Sequence, residues 1–243
     1  MKIKIANWNM AYWQHKKIHD EAWNYFLNEI DADFFLFQEG RPVEDMKNQK
    51  DHLVWNEIGG RRDWGSGIYS PKYELFKEDL ETQFKGVFSV GNFLVNKEKI
   101  TLISLYGLIE SDGSTKSYSI TNLHRIFSDL TGLLEGRIKE KRKIILGGDL
   151  NASTQCDEIQ KNNSHKILFD RIEDFGLSDV YRLSGNKNHV QTLRYARSKK
   201  PWQNDYFFVS NSLAKKFIKY EIIDNQKIRK FSDHNIVVIE MDL

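Results

Sequence analysis

Hydrophobic and polar positions alternate at the start of the chain. Ile3, Ile5, Asn7 and Asn9 interleave with Lys2, Lys4, Ala6 and Trp8, a period of two that predicts a strand running into a polar end. The period then lengthens, and Ile18, Ala22, Phe26, Leu27 and Ile30 recur at helical spacing. Phe34–Phe37 is a continuous apolar run between Asp33 and Gln38, as in a buried strand. A weaker strand is predicted over His52–Ile58, ended by Gly59-Gly60, with others near Gly67–Ser70, Val87–Val95 and Ile100–Leu105. Ile120, Leu123, Phe127, Leu130 and Leu134 step by three or four and predict one helix that Ser119 or Thr121 could cap. Ile144–Leu146 reads as another buried strand, stopped by Gly147-Gly148, and Lys161–Phe175 as a helix. Three more strands are expected near Gln191–Arg194, Tyr206–Val209 and Ile236–Met241, and Asn211 and Ser212 read as the cap of a helix over Leu213–Phe217. Many strands with at least three helices, and no regular βαβ alternation, predict two sheets packed together with helices outside. No repeat or linker divides the chain, so one domain over residues 1–243 is expected.

Composition narrows the class. Of 243 residues 40% are hydrophobic, with only 3 Pro and 15 Gly, which excludes a disordered or fibrous chain. The single cysteine, Cys156, excludes an internal disulfide and a cysteine-rich zinc site and reads as a passive thiol. No run approaches the roughly 18 apolar residues of a membrane helix, and the first residues lack the apolar core of a signal peptide. The expectation is a cytoplasmic monomer with no membrane partner.

The net charge is +2, but residues 186–230 carry 11 basic and three acidic side chains. That local excess can steer a polyanion toward one face; the other reading, a set of solvated loops and helix faces, stays open. A second basic cluster, Arg137 to Lys143, suits a helix C-terminus.

The informative polar residues stand where apolar runs end. Asn9 closes the first strand, and Glu39 follows Phe34–Phe37. Asp149 and Asn151 follow Ile144–Leu146 and two glycines; Asp205 precedes Tyr206–Val209, and Asp233 and His234 precede Ile236–Ile239. Strand ends hold a side chain on rigid backbone while leaving it accessible. Gathered carboxylates repel unless a cation neutralises them, and oxygen donors without a cysteine cluster suit Mg²⁺ or Mn²⁺ rather than structural zinc. For each residue alone, a turn or capping role remains the simpler alternative. Other candidates carry less. His15 and His19 could share a helix face but have no third ligand near them. His124 reads as the edge of a helix, and His52, His165 and His189 read as solvent-facing.

Together these segments resemble the endonuclease/exonuclease/phosphatase superfamily, the deoxyribonuclease-I-like fold, over nearly the whole chain. Asn7-Trp8-Asn9 is similar to that family's first metal-site segment, and Phe37-Gln38-Glu39 to its metal-binding glutamate segment. Trp64–Ser70 is similar to its Gly-Ser-Gly strand, Gly148-Asp149-Leu150-Asn151 to its Gly-Asp-x-Asn motif, Asp205–Ser210 to its Asp-Tyr strand and Ser232-Asp233-His234 to its Ser-Asp-His. The C-terminal third most resembles the exonuclease III and AP-endonuclease branch through Leu177–Arg182. This chain departs from that branch at Ala11, where the branch has Asp. It departs again at Thr192-Leu193, where the branch has Thr-Trp, and at Pro201–Asn204, where it has Gly-Trp-Arg.

The resemblance implies a four-layered α/β/β/α sandwich of two mixed sheets with helices on the outer faces. It also implies metal-assisted hydrolysis of a phosphate ester by water, with nucleic acid, DNA or RNA, as the partner. Asn9 and Glu39 would hold Mg²⁺ or Mn²⁺, with Asp233 a further ligand or a carboxylate behind one. Asp149 would orient or deprotonate the attacking water, and Asn151 would donate to the phosphorus oxygens. His234, its ring fixed by Asp205, would contact the phosphate; Tyr106 would bind the phosphate or assist the leaving group. Trp64 and Trp202 could stack on a base or sugar. The fold serves several chemistries. A phosphatase or phosphodiesterase acting on a lipid or other small phosphate ester is therefore the alternative, and a non-catalytic binding module the second.

Overall fold

A computed structural model describes residues 1–110, 119–140, 143–196 and 198–243, without the side chains of 119 and 136–140. The expected cap at Ser119, most of the Arg137–Lys143 cluster and Arg197 therefore lie outside what is described. The strands in chain order are β1 (Lys2–Asn9), β2 (Phe34–Gly40), β3 (Leu53–Gly59), β4 (Arg62–Tyr69), β5 (Phe76–Lys77), β6 (Phe88–Val95), β7 (Glu98–Tyr106), β8 (Lys143–Asp149), β9 (Leu177–Asp179), β10 (Asp205–Ser210), β11 (Phe217–Ile223) and β12 (Ile236–Asp242). They form two six-stranded sheets, β11-β12-β1-β2-β4-β3 and β5-β6-β7-β8-β10-β9.

Three apolar layers explain the stacking. In β1 and β2, Ile3, Ile5, Phe34 and Leu36 point to the space between the sheets, where they meet Leu102, Ile145, Phe207 and Val237. Their neighbours Ala6, Trp8, Phe35 and Phe37 point the other way, onto Trp23 and Phe26 of the helix His19–Glu29. On the second sheet, Ile144 and Leu146 face outward onto Leu123, Phe127 and Leu168 of the helices Ser119–Asp129 and Ser164–Asp174. Strands covered on both faces need apolar residues at every position, which is why Phe34–Phe37 and Ile144–Leu146 show no alternation. The result is the expected helix/sheet/sheet/helix sandwich. Polar bonds also cross it, among them the Gln38 amide, which donates to Asn7 Oδ1 at 2.8 Å and to Ser104 Oγ of the other sheet at 2.9 Å.

Several elements differ from expectation. The Ile120–Leu134 periodicity belongs to two helices, Ser119–Asp129 and Thr131–Glu140. Gln191–Arg194 forms no strand: Leu193 makes isolated bridges to Trp202 and His234, and its neighbours bond to loops. The expected helix Leu213–Phe217 lies earlier, at Asn211–Ala214, and Phe217 opens β11. The strand expected at Gly67–Ser70 starts at Arg62.

Register brings distant residues to one edge. β1 runs parallel to β2, with Asn9 beside Gln38, and antiparallel to β12, with Asn7 beside Val237. β8 runs parallel to β7, with Tyr106 beside Asp149, and antiparallel to β10, with Asp149 beside Asp205. The ends of β1, β2, β7 and β8 thus share an edge with the starts of β10 and β12. The glycines before Asp149 permit this closeness, since a Cβ at Gly148 would stand 1.8 Å from the Leu105 carbonyl oxygen.

Candidate active site

A cavity of about 520 Å³ opens at this edge, lined by Asn9, Glu39, Trp64, Tyr106, Asp149, Asn151, Asp233 and His234 among others. Three backbone positions that feed it are strained. Ala11, Glu39 and Asn151 have φ of 46°, 45° and 47°, the left-handed region that costs a side-chain-bearing residue roughly 1–2 kcal/mol. Two of the three, Ala11 and Asn151, are held by a local bond. Asn9 Oδ1 accepts the Ala11 N–H at 2.9 Å, and Asp149 Oδ1 accepts the Asn151 N–H at 2.8 Å.

The Asn9 amide nitrogen joins the two sheets at the site. It donates to Asp149 Oδ2 at 2.8 Å and to Glu39 Oε1 at 3.2 Å. Asn9 therefore turns a donor, rather than its oxygen, toward the carboxylates. The other Glu39 oxygen, Oε2, is buried with no partner. Burial, with Asp233 adding to it, raises the Glu39 pKa. The Tyr106 hydroxyl, near Glu39, is itself pushed up by burial, Glu39 and Asp149. An anionic side chain with a buried, unsatisfied oxygen, in a site otherwise rich in carboxylates, fits a hard divalent cation.

Asp149, Asp205 and His234 form a second group, with donor atoms all within 4.8 Å of one another. His234 Nδ1 meets Asp205 Oδ2 at 2.9 Å, and Nε2 lies 3.7 Å from Asp149 Oδ2. Burial opposes charge on this ring, yet Asp205 and Asp149 outweigh it and raise the His234 pKa to about 10. Asp149 is raised to about 7, by burial first and by Asp205, against the pull of His234. The Asn151 amide donates to the Gly107 carbonyl at 3.0 Å and to Asp149 Oδ2 at 3.2 Å.

The loops around His234 are pinned by residues to which the sequence assigns no individual role. Thr192 Oγ1 accepts the N–H groups of Asn204 and Asp205, both at 2.9 Å. Ser232 Oγ accepts the His234 N–H at 3.0 Å and donates to the Asn9 carbonyl at 2.7 Å. The Arg194 guanidinium bonds Asn235 Oδ1 and the Ser232 carbonyl and lies 3.6 Å from Asp224. In the sequence Arg194 registers only as one charge among many.

The two tryptophans part company. Trp64 lines the cavity, 6% exposed, with its ring edge on Tyr106 at 5.6 Å. Trp202 does not line it; its indole donates to Asn204 Oδ1 at 3.0 Å and packs on Tyr195 at 5.4 Å. Among the described residues none of the basic side chains of residues 186–230 lines the cavity, although Leu193 of that segment does; Arg61 and Arg62 supply the guanidinium groups instead. Part of that segment is engaged elsewhere: Arg229 grips Asp224 at 2.8 Å, and Lys227 and Lys230 reach Glu29 and Glu21. His165, expected at the surface, is 3% exposed, and its Nδ1 accepts the Ser153 N–H at 3.3 Å. Packing of Ser164–Asp174 against Thr154–Gln160 turns it inward, which a sequence period does not reveal.

The family model described as "Endonuclease/Exonuclease/phosphatase family" matches residues 7–234. No curated protein matches the chain in sequence. Among solved structures, an AP endonuclease from Archaeoglobus fulgidus aligns with a TM-score of 0.69 at 19% identity, covering 99% of this chain and 100% of that one. A 3'-5' exonuclease from Neisseria meningitidis gives 0.70 at 17%, covering 99% and 100%. D. rerio TDP2 complexed with a single-strand DNA product gives 0.64 at 15%, covering 100% and 99%. At these identities the likeness is one of fold. Among the described residues no helix is long and apolar enough to cross a membrane.

Proposed function

The chain belongs to the endonuclease/exonuclease/phosphatase family, and from that premise we propose that it is a divalent-metal-dependent phosphoesterase that hydrolyses nucleic-acid phosphodiester bonds. One observation carries the reading: Asn9, Glu39, Asp149, Asn151, Asp233 and His234 line one cavity in which a Glu39 oxygen lacks any partner. A binding module needs no such set. Nucleic acid is favoured over other esters by the structures of like fold, which include an AP endonuclease and a protein bound to a DNA product. The chain is taken to act as one domain and as a monomer.

Glu39 and Asp233 are the oxygen ligands of choice, for Mg²⁺ or Mn²⁺, and Asn9 the group that holds Glu39 in place. When bound, the cation would polarise a phosphoryl oxygen and neutralise charge on the leaving oxygen. Asp149, with an affinity for protons near neutral pH, is suited to take one from the attacking water. Its two oxygens are aimed by Asn9 and by the Asn151 backbone. His234, kept cationic by Asp205 and Asp149, would stabilise negative charge on the phosphate through Nε2. Asn151 would orient the phosphate, and Tyr106 would meet it through its hydroxyl.

The test is a turnover assay on DNA and RNA oligonucleotides and on small phosphate esters. EDTA should abolish activity and Mg²⁺ or Mn²⁺ restore it, and Asp149→Asn should lower it by roughly 10²–10⁴-fold. Full activity under chelation would refute the mechanism. Salt separates the substrates: binding through several phosphates weakens steeply with ionic strength, while a single-phosphate ester responds mildly.

A further inference from the structure

Trp13 stands out among the six tryptophans. Trp8, Trp23 and Trp64 are buried and Trp55 and Trp202 partly so, whereas Trp13 is 55% exposed. Its place is set by the site. Asn9 holds the turn at Ala11, and the short helix Tyr12–His15 follows at once. Tyr12 on that helix faces inward, 8% exposed, with its hydroxyl on Asp63 at 3.1 Å. Trp13, the next residue, is thrown outward onto the mouth of the cavity that holds Glu39, Asp149 and His234. Arg61 and Arg62, from the β3–β4 hairpin, line the same mouth.

Leaving an indole in water forgoes the burial that stabilises the other tryptophans. A flat π-face beside cations, at the rim of a phosphate site, has one obvious complement: a nucleobase joined to a phosphate. We propose that Trp13 is the stacking platform for the nucleobase next to the scissile phosphate, with Arg61 and Arg62 meeting the adjoining phosphates. Stacking on a protein ring needs a free base face. Inside a duplex both faces of a base are covered by its neighbours, so the platform selects an unpaired or terminal nucleotide over a continuous duplex. The cavity, at about 520 Å³, falls in the usual range for one small-molecule-sized group, roughly 300–1,000 Å³. This specificity rests on the phosphoesterase reading above, and its test is arranged to stand apart from it.

The first arm reads binding alone. A single-stranded oligonucleotide carrying 2-aminopurine is titrated, in EDTA, onto the Asp149→Asn protein. Stacking should quench the probe, Trp13→Ala in that background should remove the quench and weaken Kd roughly 10-fold, and Trp13→Phe should restore most of both. The second arm compares kcat/KM, with Mg²⁺, on the single strand and on methyl p-nitrophenyl phosphate, which has no base. Trp13→Ala should lower the ratio of the two roughly 10-fold, chiefly through KM on the oligonucleotide. An unchanged quench and ratio, or an equal fall on both esters, overturns the proposal. If the wild-type chain hydrolyses neither ester, the phosphoesterase reading falls by itself and the binding arm still decides the stacking.

Discussion

Two buried histidines, His234 at 6% exposure and His19 at 4%, are driven to opposite charge states. Burial acts on both in the same direction, against the imidazolium. At His234, Asp205 and Asp149 outweigh it and the pKa rises to about 10. At His19 it wins, and the pKa falls to about 4. His19 packs edge-on to Tyr12 at 4.6 Å, takes the Trp23 indole N–H on Nε2 at 3.0 Å and lies against the Arg41 backbone. One ring is poised for chemistry with anions, and the other locks the helix that supports residues 9–18. Depth does not set the role of a histidine here; the carboxylates within reach do.

The comparison breaks most visibly at Asp205. Asp205→Asn keeps the shape but removes the charge that holds the His234 ring as a cation, so turnover, measured below the variant's own thermal midpoint, should fall by roughly 10²–10⁴-fold. Activity near wild type would mean that His234 works without its carboxylate. Next in size is the pH dependence set by His19. Its folded pKa lies below its unfolded one, so the unfolded chain binds the extra proton. The stabilisation is present above pH 6.5 and drains away as pH falls toward 4. A shift from 6.5 to about 4 corresponds to ~3 kcal/mol. Denaturant midpoints at pH 7.5 and 4.5 should therefore converge more closely for His19→Gln than for wild type. An identical pH response in both proteins would remove His19 from the account. Smallest is a pair in open water: Lys230 of the helix Gln226–Phe231 meets Glu21, on the helix that carries His19, at 3.0 Å, both 59% exposed. Lys230→Ala should move stability by less than ~0.5 kcal/mol; a larger loss, measured by the same denaturant titration, would show that exposed pairs matter here as much as buried ones.

Most of the framework is legible from residue types alone. The runs Phe34–Phe37 and Ile144–Leu146 announce strands covered on both faces, whereas Gly147-Gly148, expected to stop the second run, lie inside β8, which continues to Asp149 because Gly148 admits the Leu105 backbone. Asn9, Glu39, Asp149, Asp205 and His234 announce themselves by ending or opening such runs. Other contributors carry no local signal. Thr192 and Arg194 look like a strand and a basic patch, yet their bonds go to loops that only the folded chain brings near. Trp13 and Arg61 look like any loop residues, since exposure is a property of the surface left after packing. Trp202 shows the converse: an aromatic beside the Asp205 strand that turns to Tyr195 and Asn204 rather than to the cavity.

By itself the sequence determined the layered sandwich, because burial of one or both strand faces is written in the period of apolar residues. It also determined which polar groups stand at strand ends. Tertiary structure alone decided that those ends coincide, through parallel β1–β2 and β7–β8 and antiparallel β10 and β12. It also decided that one histidine is cationic and another neutral. The reason is physical: electric fields and hydrogen bonds act across a few ångströms of space, and chain separation says nothing about which atoms come that close.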